Sequence, residues 1–409
     1  MTLGLDREMD SAHDRIAVVD FGGQYAHLIA TKVRRQNVLA EIRQPEDSVN
    51  DFAPYRGIIL SGSPSLSSHG EDSEWNKDIL DLNVPILGFC FGHQEIAKRY
   101  GGEVVHGGRE WGAAQLQLKQ SHPLFKGLES SEQVWMSHFD SVTKLGPEFE
   151  EIGYAVTGTD EAPHPNAAIA SDSLRRYGFQ FHPEVDSTTH GEQMIANFVL
   201  DICGCTPTWN MNRFLEGEVE KIREQVGDNS VFLLASGGVD STVAAKMIGL
   251  ALPSDSLKLL HVDNGMMRKG ESRDVVKLFD RLGLGENLCF VDASDDFLSA
   301  LEGVIEPEEK RRLIGQVFVD VFEREARKLG IESHLLGQGT IYPDTVETGG
   351  TKRAHTIKTH HNRVPIIEEM IAAGRVVEPL SELYKVEVRE LGVSLGISEE
   401  AINRHPFPG

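Results

Sequence analysis

The stretch Val231-Phe232-Leu233-Leu234-Ala235-Ser236-Gly237-Gly238-Val239-Asp240-Ser241 decides the fold of the second half of this chain. Its first five residues are an apolar run bounded by polar ones, which predicts a short buried parallel strand. Thr242-Val243-Ala244-Ala245-Lys246-Met247 then has helical spacing and composition. A strand, a turn of small residues and a helix aim backbone N–H groups and a helix N-terminus at an anion. Gly237 and Gly238 permit close backbone approach, while Ser236 and Ser241 supply hydroxyl donors. The common phosphate loop ends in Gly-Lys-Ser/Thr, but here Asp240-Ser241 takes that place. A phosphate site of a different kind is predicted.

At 409 residues the chain is long for one core and predicts two or three domains. Hydrophobic residues make up 40% and charged residues 25%, ordinary values for a globular protein in water. A formal net charge of −23 argues against a nucleic-acid surface, although a local cluster of donors can still hold an anion. No apolar run approaches the roughly 18–20 residues of a membrane span. The first fourteen residues mix Asp6, Arg7, Glu8 and Asp10 and read as a frayed tail, not as a signal peptide. Cys90, Cys203, Cys205 and Cys289 are too few and too scattered for a disulfide framework, so a reducing cytoplasm is expected. Cys203-Gly204-Cys205 lacks the second cysteine pair or histidine partner that a metal site would need.

Strands alternate with helices in the first half. Ile16-Ala17-Val18-Val19-Asp20-Phe21, Gly57-Ile58-Ile59-Leu60 and Val84-Pro85-Ile86-Leu87-Gly88-Phe89 are near-continuous apolar runs, each ending in a small-residue turn. Ala26 to Gln36 has helical character between the first two. An α/β fold of two doubly wound parallel-sheet domains is expected. The third turn, Gly88-Phe89-Cys90-Phe91-Gly92, has the small–x–nucleophile–x–small layout of a nucleophile elbow, with a helix N-terminus to favour a thiolate. Tyr177-Gly178-Phe179-Gln180-Phe181-His182-Pro183-Glu184 ends an apolar strand in a histidine, with a carboxylate two residues on. A histidine can take the thiol proton and return it to a leaving amine, and a carboxylate on its far nitrogen fixes the tautomer.

This set resembles the triad of the class I glutamine amidotransferases. The resemblance implies Cys90 as nucleophile, His182 as base and Glu184 as its orienting acid. It also implies that the N–H groups of Gly62 and Phe91 meet the oxyanion, and that Gln94 lies beside the substrate amide. The family usually has a second glycine where this chain has Ser63.

In the second half the apolar rhythm stops at Cys203–Thr208, and a linker is placed at residues 206–213, followed by a helix from Phe214 to Val226. The expected domains are therefore 15–205 and 214–409, after a tail at 1–14. The Ser236–Ser241 loop resembles the pyrophosphate loop of the N-type ATP pyrophosphatases. Leu257 to Gly265 reads as the next strand and turn, with Val262, Asp263 and Gly265 implied at the adenine and ribose. Lys310-Arg311-Arg312 precedes an apolar helix from Leu313 and suits either an anion or a solvated helix start. Gly337-Gln338-Gly339-Thr340-Ile341-Tyr342-Pro343-Asp344 is another strand end, and Lys358-Thr359-His360-His361-Asn362 suits a mobile loop better than a metal site.

With Arg404-His405-Pro406-Phe407-Pro408-Gly409, these segments resemble the glutamine-hydrolysing GMP synthases over nearly the whole chain. That family adenylates xanthosine monophosphate (XMP) with MgATP, and ammonia from glutamine then displaces AMP. The resemblance implies ATP and glutamine as substrates, Mg2+ on Asp240, and Arg311, Gln338, Asp344 and Lys358 as acceptor or lid residues. Two departures stand out. Arg363-Val364-Pro365 replaces a glycine-containing turn, and the family continues past the His-Pro-Phe-Pro-Gly segment into a dimerisation domain. A separate polypeptide would supply that domain, or the acceptor would be another activated carbonyl. A non-catalytic relative is disfavoured by the intact Cys90, His182, Glu184 and Asp240.

Overall fold

Arg15–Val19 (β1) is buried at every residue, as a parallel strand covered on both faces must be. The computed structural model describes residues 13–22, 25–69, 74–119, 121–157, 163–330, 334–345, 370 and 373–405. The chain divides into two compact units, with the division after Asn210.

In the first unit, β1 lies between Leu39–Arg43 (β2) and Gly57–Leu60 (β3), and Ile86–Phe89 (β4) follows. Next come Glu103–Leu118 (β5), Ser131–Lys144 (β6), Glu150–Val156 (β7), His164–Ser171 (β8) and Arg176–Phe179 (β9). Among the described residues they form one nine-stranded sheet, ordered β2-β1-β3-β4-β9-β8-β7-β5-β6. From β2 to β9 every pairing is parallel; from β9 to β6 every pairing is antiparallel. The expectation of a wholly parallel sheet therefore holds for only part of this unit. The antiparallel part has a half-exposed face, seen in the alternating burial along β6, and it gives no long apolar run.

Helix Ala26–Arg35 (α1) buries Ala26, Ile29, Ala30 and Val33, one stripe at helical spacing, against this sheet. Helix Phe91–Arg99 (α2) starts directly at the end of β4. Beneath the strand ends, Phe179 stacks on Phe181 with ring centroids 4.7 Å apart and on Phe125 at 5.7 Å.

The second unit opens with helix Met211–Val226 (α3), so Met211 to Arg213 are helical and not part of a linker. Its sheet contains Val231–Leu234 (β10), Leu257–Asp263 (β11), Leu288–Asp292 (β12), Leu335–Gly337 (β13) and Val376–Val377 (β14). Among the described residues these five strands are all parallel, ordered β12-β11-β10-β13-β14. Helix Val239–Ala251 (α4) is buried nearly all round, as a core helix should be. Helix Glu271–Arg281 (α5) and the longer Pro307–Leu329 (α6) follow, the latter with proline at its start and left-handed Gly330 at its end. Lys310, Arg311 and Arg312 lie inside α6 and do not precede it. Helix Lys385–Ser394 (α7) packs against α4. No helix of the described residues is long and apolar enough to cross a membrane.

Two anchors set the frame of the first unit. Asp14, placed by the sequence in the tail, pairs with Arg56 at 2.8 Å and accepts the Thr206 N–H at 2.8 Å. Arg176, buried at the start of β9, donates to the carbonyls of Leu80, Leu82, Val84, Leu174 and Arg175 over 2.5–3.0 Å. It thereby fixes the strand that leads to His182. Arg176→Met should lower the unfolding free energy by about 3–5 kcal/mol, because those carbonyls lose a charged donor in a dry site. Denaturant titration checks this; a loss below about 1 kcal/mol would contradict the anchoring role.

Candidate active site

The end of β4 turns into α2 with almost no space. A methyl group on Gly88 would lie 2.3 Å from the Gly92 carbonyl carbon, and one on Gly92 would lie 2.6 Å from Leu60 Cβ. The turn between them forces Cys90 to φ +49°, a conformation that side-chain-bearing residues seldom adopt. Cys90 stands at the N-terminus of α2, and its thiol donates toward the Ser137 carbonyl at 3.6 Å.

His182 lies just beyond β9, where its imidazole feels the Cys90 side chain electrostatically. Its Nδ1 lies 2.7 Å from Glu184 Oε1, with the histidine side chain 4% exposed and the glutamate 0%. Tyr25 packs edge-on against the imidazole at 5.4 Å. Burial by itself would lower the His182 pKa. The Glu184 carboxylate and the Cys90 sulfur outweigh it and hold the value well above 6.5.

The Gly62 turn closes the other side. A Cβ on Gly62 would sit 3.1 Å from His182 Cε1 and 3.5 Å from Cys90 Cβ. Serine hydroxyls brace this turn. Ser61 Oγ accepts the Phe21 N–H at 3.1 Å, and Ser63 Oγ donates to the Phe21 carbonyl at 2.9 Å and accepts the Leu66 N–H at 3.1 Å. Ser63 is free of positive φ, so it occupies the usual glycine position without backbone strain. The Phe91 N–H lies in the first turn of α2, where N–H groups have no intrahelical partner. The structure thus gathers Cys90, His182, Glu184, Gly62 and the start of α2. Gln94 is buried in the same helix α2, and its amide donates to the Asp140 carbonyl at 2.7 Å and to Gln180 at 3.3 Å. Asp140 also accepts from Ser67 at 2.5 Å, a link between β6 and the Gly62 loop that no local sequence signal announced.

Beneath this turn, burial and the neighbouring His138 push His93 down to about 3, so it is neutral. Cys203 and Cys205 are free thiols. Burial raises Cys203 well above its ordinary range and, with Asp14 nearby, pushes Cys205 up to about 12.

In the second unit, Ser236–Ser241 closes on itself. Gly237 takes φ +77°, and a Cβ there would meet Val275 at 2.3 Å. Ser236 Oγ lies 3.0 Å from Ser241 Oγ and accepts the Gly238 N–H at 3.2 Å. Val239 begins α4. Gly339 presses on the same loop, since a Cβ there would come within 2.9 Å of the Ser241 nitrogen. Lys385, absent from the sequence-derived site, holds both Asp240 oxygens at 2.6 and 2.5 Å across 145 residues of chain.

At the ends of β11 and β12 a cavity of about 440 Å3 is lined by residues including Asp263, Gly265, Arg268, Glu271, Phe290 and Leu298. Asp263 shapes its rim by accepting the Gly265 N–H at 3.0 Å and the Ser272 hydroxyl at 2.7 Å. Val262 packs into the apolar core behind this rim. Gln338 accepts from Thr340 at 3.3 Å, and Asp344 caps its own turn through the Ile341 N–H at 3.1 Å. Arg311 is exposed and pairs with Glu308 on its own helix, the solvated alternative. Lys358, His360, His361 and Asn362 lie outside the described residues.

The class I glutamine amidotransferase family matches residues 17–202, which contain the whole Cys90 site. GMP synthase (glutamine-hydrolyzing) from Symbiobacterium thermophilum is 45% identical over 98% of this chain and 77% of its own. The chain belongs to the glutamine-hydrolysing GMP synthases. The homologue from Azoarcus sp. is 44% identical, over 97% of this chain and 77% of that one. A protein named probable GMP synthase (glutamine-hydrolyzing) from Leptospira interrogans is 43% identical over 97% of this chain. This chain spans 65% of that relative's length.

Glu184→Gln should cut the rate of glutamine hydrolysis by about a thousandfold or more, because the neutral amide neither supports an imidazolium nor holds the imidazole to one tautomer. The same change should move the His182 titration, followed by NMR, down from its raised position. The raised value gives stability that is present in full below about pH 6.5 and is lost as pH climbs through the folded pKa. The stability gap between parent and variant should therefore narrow from pH 6.5 upward.

Proposed function

We propose that the first unit hydrolyses glutamine and that the second uses ATP to activate XMP for amination to GMP. The observation that carries this reading is the pairing, in one chain of this family, of a positive-φ Cys90 beside His182–Glu184 with a lysine-free phosphate loop. In the first unit, Cys90 sulfur attacks the carboxamide carbon of glutamine while His182 holds the thiol proton. The N–H groups of Gly62 and Phe91 face the developing oxyanion. His182 then protonates the departing ammonia, and a water deprotonated by His182 resolves the thioester to glutamate.

In the second unit, the XMP 2-oxygen attacks the α-phosphorus of ATP and pyrophosphate departs into the Ser236–Ser241 loop. Ammonia attacks the ring carbon, and AMP leaves with the oxygen. Supplying ammonia in the same chain raises its local concentration over free solution, where most is protonated near neutral pH. A carboxylate oxygen is the kind of donor Mg2+ takes, but both Asp240 oxygens are held by the Lys385 ammonium at 2.6 and 2.5 Å, so the ion would have to displace that contact. Asp240 would hold the ion, which supplies charge neutralisation at the phosphates. Val262, Asp263 and Gly265 are assigned to the adenosine end. Gln338, Asp344 and Lys358 remain the acceptor and lid assignments, with Arg311 weakened by its pairing with Glu308. Cytoplasmic location belongs to this reading as well.

The deciding experiment incubates the chain with MgATP, ammonium and XMP and quantifies AMP and GMP by chromatography. Equal amounts of both support the reading, whereas AMP formed only with another carbonyl compound would reassign the acceptor. Cys90→Ala should abolish the use of glutamine and leave the ammonium-dependent reaction intact; loss of both would refute the two-site scheme. Asp240→Asn should abolish AMP formation with either nitrogen donor, and unchanged AMP output would remove Asp240 from the site.

A further inference from the structure

Arg404 takes no part in the chemistry above, yet its guanidinium spans two turns of the second unit. One Nη donates to Glu271 Oε1, and the other reaches the Gly237 carbonyl at 3.4 Å. Glu271 is almost sealed, with a side chain 5% exposed, and it lines the 440 Å3 cavity. Its other oxygen accepts the Arg268 N–H at 2.8 Å, which closes the turn into α5. Both carboxylate oxygens are therefore engaged by the rim of the cavity and by Arg404.

Two physical consequences follow from this bridge. A buried carboxylate facing a polyphosphate repels it strongly unless a cation cancels the charge, and Arg404 is the cation bonded to Glu271. The peptide plane between Gly237 and Gly238 is trans, so fixing the Gly237 carbonyl toward Arg404 turns the Gly238 N–H to the opposite side. That side is the inside of the phosphate loop, where the N–H meets Ser236 Oγ at 3.2 Å.

We propose that Arg404 is a positioning residue of the nucleotide site: it neutralises Glu271 and orients the Gly237–Gly238 peptide so that the loop accepts polyphosphate. The proposal rests on the reading of this unit as an ATP site, and it adds the residue that sets the affinity. Calorimetric titration of MgATP into the whole chain tests it, with thermal melts as the control for folding. Arg404→Gln should weaken MgATP binding about tenfold or more. Adding Glu271→Gln to that variant should restore much of the affinity, because the charge that Arg404 cancels is gone; a purely structural bridge would give no such rescue. Affinity of Arg404→Gln within about twofold of the parent, or a double variant at least as weak as the single one, overturns the proposal. If Arg404→Gln does not fold, Arg404→Lys takes its place with an expected loss of about threefold, and no loss overturns the proposal equally. A parent chain that binds no MgATP removes the ATP reading and this inference together. A parent that binds while Arg404→Gln binds equally well removes only this inference.

Discussion

The contact between Gly88 and Gly92 is the constraint on which the first unit turns. With no side chain at either residue, β4 can meet α2 so closely that a single methyl group would collide with backbone. The chain reverses within the residues between them, and Cys90 takes the strained conformation that results. Everything else in that site is arranged around a sulfur whose position is already settled. The Gly62 turn fits against it because it too lacks a side chain, and His182 approaches from the exit of the neighbouring strand.

The second unit solves a similar problem with different materials. Gly237 turns in the left-handed region against Val275, and Gly339 presses on the loop from the β13 side. Hydroxyls then close the loop on itself, with Ser236 serving both Ser241 and Gly238. Here no strained nucleophile is presented. The loop offers donors, and its one acidic side chain is already held by Lys385.

Short parallel strands were legible in the sequence because burial on both faces demands unbroken apolar runs, as in Ile16–Val19 and Val231–Leu233. The elbow and the phosphate loop were legible because close packing leaves glycine as the only choice. Strand β6 was not, since an antiparallel strand with one wet face carries only a weak alternation that a long hairpin dilutes. Lys385 and Arg404 escaped assignment for another reason: each meets its acidic partner across more than a hundred residues, and nothing local marks a lysine or arginine for such a task. Gln94 was implied at the substrate by resemblance alone, and nothing local announced that its amide also donates to the Asp140 carbonyl of β6. Arg311 is the opposite case, a cation in a cluster that reads two ways in sequence and that pairs with Glu308 on its own helix.

Arg176 and His182 stand at opposite ends of one short run of chain. Between them the backbone is tied at successive points: Phe179 accepts the Cys90 N–H at 2.8 Å, Gln180 donates to Ala167 at 2.9 Å and His182 donates to Trp135 at 3.0 Å. The imidazole consequently has no private freedom, for any displacement of its main chain relative to the sulfur must drag a ladder anchored at the far end by a guanidinium. Alignment of base and nucleophile is then an event of folding, completed once, and each catalytic cycle begins with that search already over.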